Sequence, residues 1–252
     1  MIRLAAVILT KNEERHIGDC IQSAAWADQV VVLDSYSTDR TIEIARQMGA
    51  TVIQHPFHDY GQQRNVALDT VKAEWILFVD ADERVTPELA AEIRQVLQRD
   101  DVDGWWVPRH NFIFGAIVQH AGWYPDYQMR LLRRAQARYD PARQVHELVV
   151  LDGPEGYLQN VLIHYNYDSI RQFRTRQEKY TAFDARILFE QGVRPQVRNF
   201  ILQPLRQFKW RYLELGGYKA GWRGLLLSLL MAYYNLKMYL RLRAMWQCQE
   251  RV

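Results

Sequence analysis

The chain has 252 residues, 48% of them hydrophobic and 24% charged, with a net charge of +3. That balance excludes a disordered or fibrous polypeptide and allows one sizeable core with an appendage. Two cysteines far apart, Cys20 and Cys248, exclude a disulfide framework and a cysteine zinc site and read as free thiols in a reducing compartment.

Met1 to Leu9 is too short an apolar stretch, and too soon followed by Thr10, Lys11, Asn12, Glu13 and Glu14, for a secretory leader, so a cytosolic body is expected. Leu4 to Leu9 predicts a buried parallel strand. Glu13 to Ala27 predicts a helix with Ile17, Ile21 and Ala24 or Ala25 on one face. Val30 to Leu33 predicts a second strand, closed by Asp34. Thr38 or Asp39 would cap a helix over Arg40 to Met48, which Gly49 ends. Thr51 to Gln54 predicts a third strand and Gln62 to Val71 a helix. Trp75 to Val79 predicts a fourth strand ending at Asp80. Thr86-Pro87-Glu88 opens a helix reaching Gln98, with Thr86 as cap and Pro87 in its first turn.

Such alternation predicts a doubly wound, mostly parallel α/β sheet. Ligands of that architecture sit at the carboxyl ends of the strands. Three polar clusters lie there: Thr10 to Glu14, Asp34 to Asp39, and Asp80 to Glu83. Beyond residue 104 the chain predicts short strands over Trp105 to Pro108, Ala116 to Gln119, Met129 to Arg133 and Leu158 to His164. An amphipathic helix follows over Ser169 to Gln191. The expected organisation is a catalytic domain of residues 1–192, with 1–103 as nucleotide-binding half and 104–192 as acceptor half, followed by a basic, aromatic, helical tail, 193–252.

Asp80-Ala81-Asp82 follows the apolar run at Trp75 to Val79. Two carboxylates one residue apart at a strand end can turn toward one hard cation, and Mg²⁺ and Mn²⁺ take oxygen ligands and bridge to phosphates. The alternative is a solvated acidic turn ahead of Thr86. No glycine-rich dinucleotide loop and no P-loop follows the first strand, which argues against dehydrogenase and ATPase chemistry. Asp34 would accept hydrogen bonds from a base or ribose, whereas Asp39 reads equally as a helix cap. Arg64 would meet a diphosphate or lie on a solvated helix face.

Leu9-Thr10-Lys11-Asn12-Glu13, Asp34-Ser35-Tyr36-Ser37-Thr38-Asp39, Gln63-Arg64-Asn65 and Asp80-Ala81-Asp82-Glu83, in that order, resemble the family 2 glycosyltransferases of the GT-A fold. Gly122 to Leu131, Val145-His146-Glu147, Ile163-His164-Tyr165 and Gly221-Trp222-Arg223-Gly224 are similar to a bacterial subgroup of lipopolysaccharide-core β-1,4-glucosyltransferases acting on inner-core heptose. The resemblance implies an inverting enzyme that moves a sugar, glucose from UDP-glucose, to a lipid-linked saccharide acceptor. It implies that Thr10, Asn12, Glu13 and Asp34 hold the uridine, that Arg64 lies near the diphosphate, and that Asp80 faces the ribose or donor sugar. Asp82 and His164 would hold Mg²⁺ or Mn²⁺. The general base would be Glu147 or, second, Asp126, and Gln128 and Arg130 would shape the acceptor site. Arg130, Arg133 and Arg134 would meet acceptor phosphates or form a solvated face. The rivals are a nucleotidyltransferase of related fold, which would carry a glycine-rich basic loop after the first strand, and a non-enzymatic membrane scaffold.

From Arg194 onward the chain carries eleven basic and two acidic residues, +9 against −6 for the rest. The apolar stretch around Leu225 to Tyr234 is shorter than the roughly 20 residues of a membrane span. Lys219, Trp222, Arg223, Lys237, Tyr239, Arg241, Arg243 and Trp246 flank it. This composition predicts an amphipathic helix in the headgroup region of an anionic membrane, with the protein peripheral on the cytoplasmic face of the bacterial inner membrane. A helix packed on the catalytic domain, or a dimer interface, is the alternative. No nucleic-acid-binding motif accompanies the cations, and the oligomeric state stays open.

Overall fold

The structure, a computed structural model, describes residues 2–140 and 149–249. In chain order it begins with β1 (Ile2–Thr10), α1 (Ile17–Ala24), β2 (Gln29–Asp34), α2 (Thr41–Gln47), β3 (Thr51–Gln54), α3 (Tyr60–Thr70), β4 (Ala73–Asp80), β5 (Glu83–Val85) and α4 (Pro87–Val96). Then come β6 (Gly104–Ile113), β7 (Ala116–Val118), β8 (Asp126–Arg133), β9 (Ala137–Tyr139), β10 (Val149–Leu151), β11 (Glu155–Tyr157) and β12 (Leu162–Tyr167). Helices α5 (Ile170–Glu190), α6 (Val197–Lys209) and α7 (Gly221–Gln249) follow. The chain forms two compact units, Met1–Arg109 with Asp126–His164, and His110–Pro125 with Tyr165–Val252. The division falls inside β6 and β12.

In the first unit the strand order is β3-β2-β1-β4-β8-β6-β12-β5. β1 to β4 are mutually parallel, whereas β8 runs antiparallel to β4 and to β6. Alternation in β1 and β4 explains why both faces are covered. Leu4, Ile8, Trp75, Leu77 and Val79 point to one side, where Ile17, Cys20 and Ile21 of α1 and Leu89 and Ile93 of α4 meet them. Ala5, Val7, Leu9, Ile76 and Phe78 point to the other, where Ala67 and Leu68 of α3 meet them. Each fully buried side chain of this kind contributes about 1.5–3 kcal/mol.

Local signals set the boundaries. Thr86 Oγ1 accepts from Leu89 N at 3.2 Å and Pro87 occupies the first turn of α4, as predicted. Ser169 caps α5 through Gln172 N, and Gln191 ends it, again as read from sequence. The first helix is shorter than expected: residues 13–16 make a turn, with Glu13 O accepting from Ile17 N, before α1 begins. β6 is longer than the four residues predicted, because Arg109, His110 and Asn111 continue the strand despite their polarity.

The second unit is helical with an aromatic centre. Ile113, Val118, Tyr167, Phe173, Leu227 and Tyr234 form its buried cluster. α7 packs on α5 and α6, and Glu178 of α5 pairs with Lys237 and Arg241 of α7. Gly224 sits where a Cβ would lie 1.8 Å from the Gly217 carbonyl oxygen, so the Gly221-Trp222-Arg223-Gly224 turn needs glycine there for backbone to meet backbone. The expected tail helix exists, but its apolar run does not lie free. Leu227, Ala232 and Tyr234 are buried in this unit, while Trp222, Leu225 and Leu229 are exposed. Among the described residues no helix is long and apolar enough to cross a membrane.

Candidate active site

Parallel registry brings the polar strand ends to one edge of the sheet. Thr10 pairs with Asp34, and Leu9 with Asp80. Asp34 is fully buried and accepts from Ser37 N at 2.9 Å, from the Ser37 hydroxyl, and from Gln54 Nε2 at 3.3 Å. Asn12 ties the first loop to the second: its N–H donates to Ser37 Oγ, and its Oδ1 accepts from Thr38 N, both at 2.8 Å. Asn12 and Tyr36 both adopt left-handed backbone, at φ of 56° and 57°. Such conformations cost energy and concentrate where a loop is shaped for a task. The Glu13 N–H donates to Thr41 Oγ1. Asp39 accepts from Thr41 N and Glu14 N, although the N-cap position of α2 is Arg40 and not Asp39 or Thr38 as expected. The Thr10 hydroxyl is buried and lacks a partner in the described structure, the state of a group that a ligand can satisfy.

Asp80 lies between two arginines. Arg64 Nη2 is 3.4 Å from Oδ1, and Arg130 reaches both carboxylate oxygens. Burial alone would raise the Asp80 carboxyl, but the charge of Arg130, then that of Arg64, outweighs it and holds the group well below the usual carboxylate range. Arg64 is held over the rings of Tyr60, Phe78 and Tyr139, with centroids 5.5–5.9 Å from its guanidinium carbon.

Two residues with no role assigned from sequence, Glu83 of the Asp80-Ala81-Asp82-Glu83 motif and Arg109, complete this network. Glu83 is 0% exposed. It accepts from Asp80 N at 2.9 Å, from Arg130 Nη2 at 2.9 Å and from Arg109 Nη1 at 3.0 Å. Arg109 then grips Asp126 Oδ2 through Nε and Nη2, at 3.0 and 2.7 Å. Burial would lower the Arg109 guanidinium, but Glu83 opposes it most strongly and the net shift is upward. An acid directly after Asp80-Ala81-Asp82 and an arginine directly after the run Trp105 to Pro108 were the available signals. The charged partners of each lie far away in sequence.

Arg130, expected at the acceptor site, is 3% exposed and directed to Asp80 and Glu83. Gln128 instead donates to Asp126 Oδ1 at 3.0 Å. Arg133 is engaged with Glu74, Asp103 and Asp100 and stacked over Trp75. Arg134 donates to the Ala73 and Leu68 carbonyls. These contacts tie both into the fold.

Antiparallel pairing of β12 with β5 sets His164 opposite Glu83. His164 Nε2 thereby comes 3.6 Å from Asp82 Oδ2, and both side chains are mostly buried. One carboxylate and one imidazole fit a Mg²⁺ or Mn²⁺ ion that completes its shell with substrate phosphates and water. Among the described residues no three His, Cys, Asp or Glu side chains converge on a common point. Glu147, the first candidate for the base, lies outside the described residues.

Residues 5–165 match the model of the glycosyl transferase family 2. The chain belongs to that family. It is 29% identical, over 92% of its length and 88% of the relative's, to the lipopolysaccharide core biosynthesis glycosyltransferase LpsC of Rhizobium meliloti. It is 26% identical to an uncharacterized glycosyltransferase of Rickettsia bellii over 96% of this chain and 86% of the other. In fold it is similar to the Pyrobaculum calidifontis mannosyltransferase PcManGT, solved in complex with GDP-Man and Mn²⁺, with a TM-score of 0.56 and 13% identity over 96% of this chain and 87% of that one. Staphylococcus aureus TarS gives 0.50 and 15% over 98% and 92%. The α/β architecture is thus the GT-A fold, and the chain is a glycosyltransferase.

Proposed function

We propose that the protein transfers glucose from UDP-glucose, with inversion, to a lipid-linked saccharide such as the lipopolysaccharide inner core, at the cytoplasmic face of the bacterial inner membrane. The observation that carries this reading is the pairing of Asp82 with His164 beside the strand ends that hold Thr10, Asp34 and Asp80. Similarity to LpsC supports the acceptor class, and the GDP-Man and Mn²⁺ held by PcManGT support a nucleotide-sugar donor with a divalent ion.

In this reading Asp34 and Asn12 orient the nucleoside, Thr10 supplies its unused hydroxyl, and Glu13 borders the same loop. Asp82 and His164 hold Mg²⁺ or Mn²⁺, which supplies electrostatic stabilisation of the leaving diphosphate. Arg64 adds fixed positive charge beside Asp80, preorganised by its three aromatic neighbours, so little reorganisation accompanies charge development. Asp126, fixed by Arg109 and Gln128, positions the acceptor hydroxyl or takes its proton; Glu147 is the other carboxylate proposed for that proton.

The test is nucleoside diphosphate release from a panel of nucleotide sugars with Mn²⁺ or Mg²⁺. Wild type should hydrolyse UDP-glucose slowly in a metal-dependent manner, and Asp82→Ala should lower that rate by at least about a hundredfold. Absence of UDP binding with or without metal would refute the reading, and pyrophosphate released from a nucleoside triphosphate and a sugar 1-phosphate in a parallel assay would replace it with nucleotidyl transfer.

A further inference from the structure

The second unit carries an apolar surface that its own core does not use. No residue of α6 is buried. Val197 is 80% exposed, and Ile201, Leu202 and Leu205 lie between 53% and 60%. Val197, Ile201 and Leu205 recur every four residues, so they form one line along the helix, with Leu202 beside it. Phe200, Gln203, Pro204 and Gln207, on the other arc, are partly buried.

The charges around this line are predominantly basic, with the exposed Glu214 paired to Lys209 at 3.2 Å. No acidic residue occurs between Glu190 and Glu214, while Arg194, Arg198, Arg206, Lys209 and Arg211 do. Arg198, Arg206 and Lys209 are exposed. At 3.6 residues per turn, Arg198 and Lys209 fall in the arc of the apolar line and Arg206 at its border. Trp210, an amphipathic ring suited to an interface between water and hydrocarbon, follows and is 43% exposed.

We propose that α6 lies in the plane of an anionic phospholipid bilayer, its apolar line at the acyl boundary and its cations among the phosphates. Charge complementarity selects this occupant. Two copies meeting through the face would oppose cation to cation, which disfavours self-association. The contact is parallel to the membrane, since no described helix can cross it. It adds α6 to the Leu225 to Tyr234 run, of which Leu227, Ala232 and Tyr234 are buried and Leu225, Leu229 and Tyr233 are exposed. It deepens and rests on the membrane-face part of the proposed function, but its test requires neither donor nor acceptor, so docking and sugar transfer can fail separately.

The experiment is co-sedimentation of the full chain with vesicles of phosphatidylcholine alone or mixed with phosphatidylglycerol, alongside sedimentation velocity without lipid. Wild type should bind the anionic vesicles at least about tenfold more tightly than the neutral ones and lose binding as salt rises. Ile201→Glu with Leu205→Glu should weaken binding at least about tenfold while leaving the melting temperature and UDP binding unchanged. Arg198→Gln with Arg206→Gln should weaken binding to anionic vesicles about tenfold and leave the neutral ones unaffected. No vesicle binding, equal binding to both vesicle types, or variants that bind like wild type would overturn the proposal. So would a lipid-free dimer that Ile201→Glu with Leu205→Glu dissolves, which would assign the line to a second copy.

Discussion

The network around Glu83 and the surface of α6 treat solvent in opposite ways. In the first, charges are withdrawn from water: Glu83 and Arg130 are 0% and 3% exposed, and each is compensated by opposite charge. In the second, aliphatic side chains are left in water although α5 and α7 offer a core nearby in the same unit. Each arrangement costs free energy in the isolated chain, by desolvation in one case and by unburied apolar area in the other. Groups held at such cost are where function is to be sought. The difference is that the buried charges are tied into the fold and the exposed apolar residues are not.

The contrast is broken most severely at Glu83. Glu83→Gln keeps the shape but leaves Arg109 and Arg130 without their shared anion, and should lower the unfolding free energy by about 3–5 kcal/mol in urea titration. A loss under about 1 kcal/mol would mean that water or rearrangement replaces the missing charge.

Acid should probe the same network. Asp80 is ionised more readily folded than unfolded, so its contribution is complete above the ordinary aspartate value of about 3.9 and is lost as the pH falls below it. Stability should therefore be level near neutrality and decline in acid, and Asp80→Asn should flatten that decline. An unchanged acid limb in the variant would remove Asp80 from the account.

The smallest effect belongs to α6. Leu205→Ala truncates a leucine that is 60% exposed, so it should change stability by no more than about 0.5 kcal/mol. A core leucine would cost about 2–5 kcal/mol. A core-like loss at Leu205 would show that the line is covered in solution.

The alternating first hundred residues were legible because their signals are local. Trp75 to Val79 is apolar throughout, Thr86-Pro87 marks a helix start, and Asp34 and Asp80 close their strands. Asp82 and His164 were paired by resemblance, and β12 against β5 supplies the geometry. Three things were hidden. β5 is three residues long and begins with a buried acid, which hydropathy reads as loop. Arg109 takes meaning only from Glu83 and Asp126, which belong to other strands. In the tail, the richest apolar run drew notice, but helical packing sorted it residue by residue, sending Leu227 and Tyr234 inward and Leu225 and Leu229 outward.

The two cysteines acquire a use from their placement. Cys20 is fully buried in α1, its Sγ directed at the Asp80 carbonyl oxygen at 3.5 Å, and burial pushes its thiol well above the ordinary range. Cys248 is exposed. An alkylating reagent therefore meets one thiol at once and the other only when the structure around the β4 terminus opens. The chain thus contains its own clock and its own reference: the lag between the two modifications reports how often the floor beneath Asp80 comes undone, without any added label.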